Sequence, residues 1–372
     1  MKYQAYHLDE EDQELLHDGE ETIESEELTR RKINRWLKST SFVSFRNEIR
    51  KSVVGQESLD KVVFSIYYYL ERIARGVSNA DSILLTAPSG CGKTETYRAI
   101  KKYFAMELPC LPCYQVDASQ LTETGFKGVD PIFIIGGLIA EAETNGIGIV
   151  WVDEIDKKIL PSFESHGGNV NAKVQHALLT VMEGSVCPPK KDMNSITIDT
   201  NNTFFIGLGA FDFVRDAKQN AAVEIGFGAK HKEADHYDDI TREDLIEAGA
   251  IYEFVGRFSS IYSYHRLSEK AVRKIINLII RQESEMMDID VQVKEVYVKE
   301  LVEASNTKYG CRLIRSMLRE RMLEQYMSLK EHGYSNKEYR IVIAGKKDRL
   351  EQITEERKNE SESEPAGEYT EV

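Results

Sequence analysis

Basic side chains are outnumbered in this chain. Lys and Arg total 48 against 62 Asp and Glu, a formal net charge of −14. That balance opposes a nucleic-acid footprint spread over the surface, which needs clustered cations. Cysteine is scarce, five in 372 residues, so no disulfide framework is expected. Cys110 and Cys113 have no second such pair and no His pair nearby. They read as two buried thiols at a strand entry rather than half of a metal site. No apolar run approaches the length of a membrane span, and the N-terminus is too acidic for a signal peptide. A cytoplasmic protein with no membrane or nucleic-acid partner is expected.

What is present is an apolar core, 41% of residues, and length for two or three domains. Ile83 to Thr96 reads as an apolar strand, a Gly-rich turn, then Lys93 and Thr94 opening a helix. Backbone N–H groups of such a turn cradle phosphates, helped by the helix N-terminus. The candidate nucleotide cradle is Pro88, Ser89, Gly90, Cys91, Gly92, Lys93, Thr94 and Glu95. Lys93 would reach the β and γ phosphates and Thr94 would sit on Mg²⁺. Ala87 stands where the strict pattern has Gly, which predicts a strained turn entry. A second buried strand, Ile149 to Val152, ends in Asp153 and Glu154. Asp153 is placed to hold Mg²⁺ through water and Glu154 to polarise an attacking water. ATP and Mg²⁺ are the expected cofactors.

In chain order, residues 1–28 carry eleven Asp and Glu against one Lys, which predicts a disordered or weakly helical acidic tail. A helical lead-in follows, anchored by Ile33, Trp36, Leu37 and Phe42. A helix over 57–73 then has Val62, Val63, Ile66, Tyr69, Leu70 and Ile73 at helical spacing. After the P-loop helix and a strand at 114–116, Gly125-Phe126-Lys127-Gly128 places a bulky ring between glycines in a polar loop. Strands alternating with helices imply a parallel sheet with the site at the strands' carboxyl ends. Residues 217–239 read as a polar insertion with an apolar tip, Ile225-Gly226-Phe227, suited to a partner contact. From Ser268 a separate, mainly helical domain follows, and a charged tail from Lys346.

With these motifs assembled, the chain resembles the ClpX family of AAA+ protein-unfolding ATPases over about residues 50–345. Val53-Val54-Gly55-Gln56 is similar to the family's adenine box, and Leu121 to Gly128 to its first pore loop, with Phe126 in place of Tyr. Val152 to Lys157 matches its Walker B segment. Val174 to Leu179, ending at Glu183-Gly184, resembles the segment around its second pore loop. Ile225-Gly226-Phe227 matches the tripeptide that docks on the ClpP peptidase. Glu253 to Arg257 matches the arginine-finger segment, and Gly310 to Arg315 the segment with the sensor-2 arginine, here Arg312.

The resemblance implies an α/β AAA+ P-loop NTPase large domain with a parallel sheet, plus a small, mainly helical C-terminal AAA+ lid domain. Boundaries are expected at 1–40 (acidic segment), 41–265 (ATPase domain), 266–345 (lid) and 346–372 (tail). It implies a hexameric ring of self-copies that threads polypeptide substrates through a pore, with Phe126 and Lys127 in the pore loop and Phe126 gripping the chain. Delivery to a ClpP-like peptidase through Ile225, Gly226 and Phe227 is implied too. Val53 and Val54 would contact adenine. Arg257 would complete a neighbour's site beside the catalytic Lys93 and Glu154, and Arg312 would grip nucleotide in cis. A different class stays open: a dedicated AAA+ remodeller of one complex, with no peptidase partner. The departures are Ala87, Lys127, a short loop after Cys187, no four-cysteine zinc module, and no polar sensor-1 residue after Leu208.

Overall fold

Three segments, Asp81–Thr86 (β1), Gly148–Asp153 (β3) and Thr203–Gly209 (β6), are buried along nearly their whole length. Strands covered on both faces have this near-continuous apolar character, and they belong to parallel sheets. With Cys113–Asp117 (β2) and Ser260–Ser263 (β7) they form a five-stranded sheet in the order β2-β3-β6-β1-β7. Every pairing in it is parallel, as the alternation of strands and helices predicts. The register sets Thr86 against Gly209 and Asp117 against Asp153. The carboxyl ends of β1, β2, β3 and β6 therefore share one edge. A two-residue pair, Val186–Cys187 (β4) with Ile198–Asp199 (β5), is antiparallel.

The computed structural model describes residues 21–77, 81–121, 134–136, 146–163, 168–184, 186–187, 198–224, 239–307 and 309–353. The chain divides into two units, Met1–Pro88 with Gly92–Arg266, and Ser89–Cys91 with Leu267–Val372. In the first, helices Glu21–Ser39 (α1), Phe42–Arg50 (α2), Leu59–Ala74 (α3) and Lys93–Glu107 (α4) precede Val170–Met182 (α5), Asp212–Glu224 (α6), Arg242–Glu247 (α7) and Tyr252–Gly256 (α8). Local chemistry sets several starts. Ser41 accepts from the Ser44 N–H, Asn169 from the Ala172 N–H, and Thr241 and Asp244 form a reciprocal capping box. All six apolar positions predicted for α3 are buried. Each such side chain contributes about 1.5–3 kcal/mol relative to exposure.

Two expected boundaries shift. The sequence separates an acidic segment ending at residue 40. Helix α1 instead begins at Glu21, and its Ile33 and Trp36 are buried. Trp36 packs edge-on against Phe45, Tyr103 and Phe104, so aromatic burial joins this helix to the first unit despite its acidic start. The polar insertion expected from residue 217 likewise begins inside α6, which runs to Glu224.

Tyr69 fixes α3 to the sheet. Its hydroxyl donates to the Asn202 carbonyl at 2.7 Å and accepts from the Gly148 N–H at 3.0 Å, fully enclosed. Burial raises its pKa. Tyr69→Phe leaves buried backbone groups at the entries of β3 and β6 without that partner. The expected loss is about 1–3 kcal/mol, read as a lowered urea midpoint at unchanged m-value.

The second unit is built on its own core. Helices Glu269–Met287 (α9), Glu295–Ser305 (α10) and Cys311–Glu331 (α11) cover a three-stranded sheet of Val291–Val293 (β8), Tyr339–Ile343 (β9) and Arg349–Gln352 (β10). Val272, Ile276, Ile314, Leu318 and Ile341 are buried together. Glu283, 2% exposed, is held by Arg315 at 3.4 Å and Arg319 at 3.8 Å. The charged tail is expected from Lys346, but the residues that follow form a turn and a strand. Asp348 accepts from the Ala344 and Gly345 N–H groups and from Arg321 Nη1, all within 2.8–3.0 Å. That turn returns the chain as β10, antiparallel to β9.

Candidate active site

The P-loop leaves β1 at Thr86 and enters α4 at Lys93. Gly90 and Gly92 take left-handed backbone, φ +75° and +102°, where a Cβ would strain the chain. They turn the loop so that the N-terminus of α4, with Lys93, Thr94 and Glu95, lies at the carboxyl edge of the sheet. Ala87 departs from the expected strain. It does not have positive φ, it is fully buried, and its N–H donates to the Gly209 carbonyl at 3.2 Å. A methyl group is accommodated at a position that does not call for glycine. The Lys93 ammonium donates to the Ala87 and Pro88 carbonyls, the latter at 3.4 Å.

Anchors that the motif does not name hold this loop. Thr96 Oγ1 donates to the Gly92 carbonyl at 3.0 Å and shares a 3.0 Å hydrogen bond with the Tyr264 hydroxyl, whose pKa burial raises. Tyr264 N–H donates to the Thr86 carbonyl at 2.8 Å, and the Thr86 and Ser263 hydroxyls lie 3.0 Å apart. On the other side, Val53 is buried and its Cγ1 stands 4.0 Å from where a Cβ on Gly92 would be. Gln56, beside it, is pinned by its amide: Nε2 donates to the His265 carbonyl at 2.8 Å and Oε1 accepts from the His265 N–H at 3.1 Å. Val53 thus reaches the P-loop, and Val54 beside it is half-buried.

At the end of β3, Asp153 Oδ1 accepts the Glu154 N–H at 2.9 Å. Its Oδ2 accepts from Gln115 Nε2, on β2. Glu154 is exposed and left-handed, φ +55° and ψ +30°. Few non-glycine residues take that backbone, and those that do concentrate at functional sites. Asp156 is buried, and its Oδ2 accepts the Phe211 N–H at 3.2 Å. This bond ties the segment after Asp153 to the exit of β6. A Cβ on Gly209 would lie 2.4 Å from the Phe211 ring, so β6 ends in a glycine that the ring requires. Lys158, on the same stretch, donates to the Ser119 carbonyl at 3.1 Å. Burial lowers its pKa and the Asp117 charge raises it.

Lys93, Thr94, Asp153 and Glu154 are thus brought to one edge of one sheet. The residues fit a nucleotide with a hard cation. Gly-dependent turns leave backbone N–H groups at a helix N-terminus for phosphate oxygens. A hydroxyl and a carboxylate are the sparse oxygen donors that Mg²⁺ accepts alongside phosphates and water. Among the described residues no cluster of three or more His, Cys, Asp or Glu could hold a metal.

Arg257, which follows α8, lies half-buried in the same unit. Its Nη2 is 3.4 Å from Glu183 Oε1, and its buried Nε has no hydrogen-bond partner. Arg312 is exposed, in the first turn of α11 in the second unit. Phe126, Lys127, Ile225, Gly226 and Phe227 lie outside the described residues. Gln115, Asp156 and Tyr264 were not legible as site residues.

Residues 78–261 match the AAA domain (Cdc48 subfamily), which makes the first unit an AAA-type ATPase domain and the protein an enzyme that hydrolyses ATP. The particular likeness is narrower. The chain is 29% identical over 349 residues to the ATP-dependent Clp protease ATP-binding subunit ClpX of two strains of Bacteroides fragilis, spanning 83% of this chain and 81% of each relative. The chain is thus an ATPase similar to ClpX over most of its length. Among the described residues no helix is long and apolar enough to cross a membrane.

Proposed function

We propose that the chain assembles into a cytoplasmic ring, hexameric as in the family it resembles, that unfolds proteins and threads them through its pore. The observation that carries the reading is the union of a Gly90/Gly92 phosphate cradle with Asp153 and Glu154 on one sheet edge, in a chain similar to ClpX over most of its length. Lys93 leaves its carbonyl partners to pair with phosphate, and Thr94 and Asp153 hold Mg²⁺. Mg²⁺ supplies charge neutralisation on the phosphate oxygens. Glu154 takes the proton of the attacking water, and Arg257 of an adjacent copy stabilises charge as it develops. Val53 and Val54 flank the base, and Arg312 contacts the nucleotide from the lid. Phe126 and Lys127 grip the threaded chain, and Ile225, Gly226 and Phe227 dock on a ClpP-like peptidase.

The test is a pull-down with tagged Glu154→Gln protein held with ATP. A peptidase ring and diverse clients, with the peptidase lost on Phe227→Ala, support the unfoldase. One recurrent partner without a peptidase moves the reading to the dedicated remodeller.

A further inference from the structure

The parallel register of β2 on β3 pairs Gln115 with Trp151 and Asp117 with Asp153. Side chains alternate along a strand, so Gln115, Asp117 and Asp153 share one face, with Gln115 diagonal to Asp153. A diagonal neighbour is within reach of a long side chain, and the Gln115 amide spans the gap to Asp153 Oδ2. The other oxygen, Oδ1, is taken by the Glu154 N–H. Each carboxylate oxygen thus has one fixed donor. An ionised carboxylate offers about four lone-pair positions, so room remains for a cation's water.

Two carboxylates directly opposite on neighbouring strands repel. Asp117 turns its charge away. Its Oδ1 accepts the Ser119 N–H at 2.8 Å, and its Oδ2 lies 3.5 Å from Gln120 Nε2. Asp153 cannot be spared in that manner if it is to face the nucleotide. An uncharged donor of the length of Gln, diagonal to Asp153 on the neighbouring strand, fixes its rotamer. Methionine would fill the same half-buried position without donating.

From this geometry we propose that Gln115 is a positioning residue for the Mg²⁺ site, acting through Asp153. The inference rests on the reading that Asp153 holds Mg²⁺ through water. Outer-shell partners of metal ligands are worth about 10–100-fold in affinity, and the lower end suits a cation that keeps several waters.

The experiment measures binding of a fluorescent ATP analogue against Mg²⁺ concentration in Gln115→Met and Gln115→Glu, two near-isosteric variants that lose the donor. The Mg²⁺ midpoint should rise about tenfold in both, with metal-free binding of the analogue unchanged and thermal midpoints close to the parent. A packing role would move the thermal midpoint and leave the Mg²⁺ midpoint alone. An unchanged Mg²⁺ midpoint in a folded variant, or a lower one in Gln115→Glu, overturns the proposal. Asp153→Asn is the control. If it too leaves the Mg²⁺ midpoint unchanged, the reading that Asp153 holds Mg²⁺ has failed. If it raises the midpoint while the Gln115 variants do not, Gln115 alone has.

Discussion

Glu154→Gln should bind ATP about as tightly as the parent while its steady-state hydrolysis falls by roughly 100- to 10,000-fold, the range for removal of a positioned general base. The structure argues for separability. Glu154 is exposed and makes no contact that holds the P-loop. Its backbone N–H, which donates to Asp153 Oδ1, is kept by Gln. Gln preserves length and polarity but cannot take a proton from water. Its φ of +55° is within the left-handed region that Gln tolerates about as well as Glu, so folding should be little affected. Equilibrium binding of a fluorescent ATP analogue and phosphate release, measured on the same preparation, decide it. Retained turnover would remove Glu154 from the role. Loss of binding together with turnover would mean that the substitution had disturbed Asp153.

Much of this architecture was legible because its signals are local. Buried parallel strands announce themselves by continuous apolar runs, and α3 by a 3.6-residue spacing whose six apolar positions are all buried, with Leu59 buried besides. Glycines at 90 and 92, spaced as a phosphate-binding turn requires, imply the left-handed backbone that both adopt. The misjudged boundaries share a different cause. The anchors Ile33 and Trp36 were legible, and Trp36 packs on Phe45 and Phe104, but the acidic composition of 21–28 conceals that the helix they anchor begins at Glu21. Likewise the charges after Lys346 conceal a turn closed by Asp348. In both places tertiary contacts, made far along the chain, outweigh local composition.

The site divides along the same line. Lys93, Asp153 and Glu154 lie in contiguous motifs whose chemistry can be read directly. Gln115 acquires meaning only from strand register, Tyr264 only from pairing of β7 with β1, and Asp156 only because β6 ends against it. No spacing rule within the sequence relates these residues. Ala87 shows the converse. A motif rule predicts strain, yet the backbone at that position is ordinary and the N–H is satisfied by Gly209.

Arg257→Ala should lower hydrolysis by about a thousandfold, the smaller end of what an arginine finger supplies, without abolishing nucleotide binding. Within one copy the guanidinium rests 3.4 Å from Glu183; the Arg257 side chain is 28% exposed and that of Glu183 52%, so water reaches the pair. Ion pairs this exposed contribute about 0–1 kcal/mol, so transfer to a neighbour's phosphate costs little. Arg257→Lys should recover little of the loss, since an ammonium lacks the planar fork. A mixing experiment separates action in trans from action within one copy. Arg257→Ala subunits keep Glu154, and Glu154→Gln subunits keep Arg257. In a head-to-tail ring, random 1:1 mixing gives roughly a quarter of interfaces both groups, so two inactive preparations should regain activity when co-assembled. If Arg257 serves its own subunit's site, no mixed interface is complete and activity stays at the level of the separate variants. Recovery therefore requires both a ring and an arginine that crosses its interface.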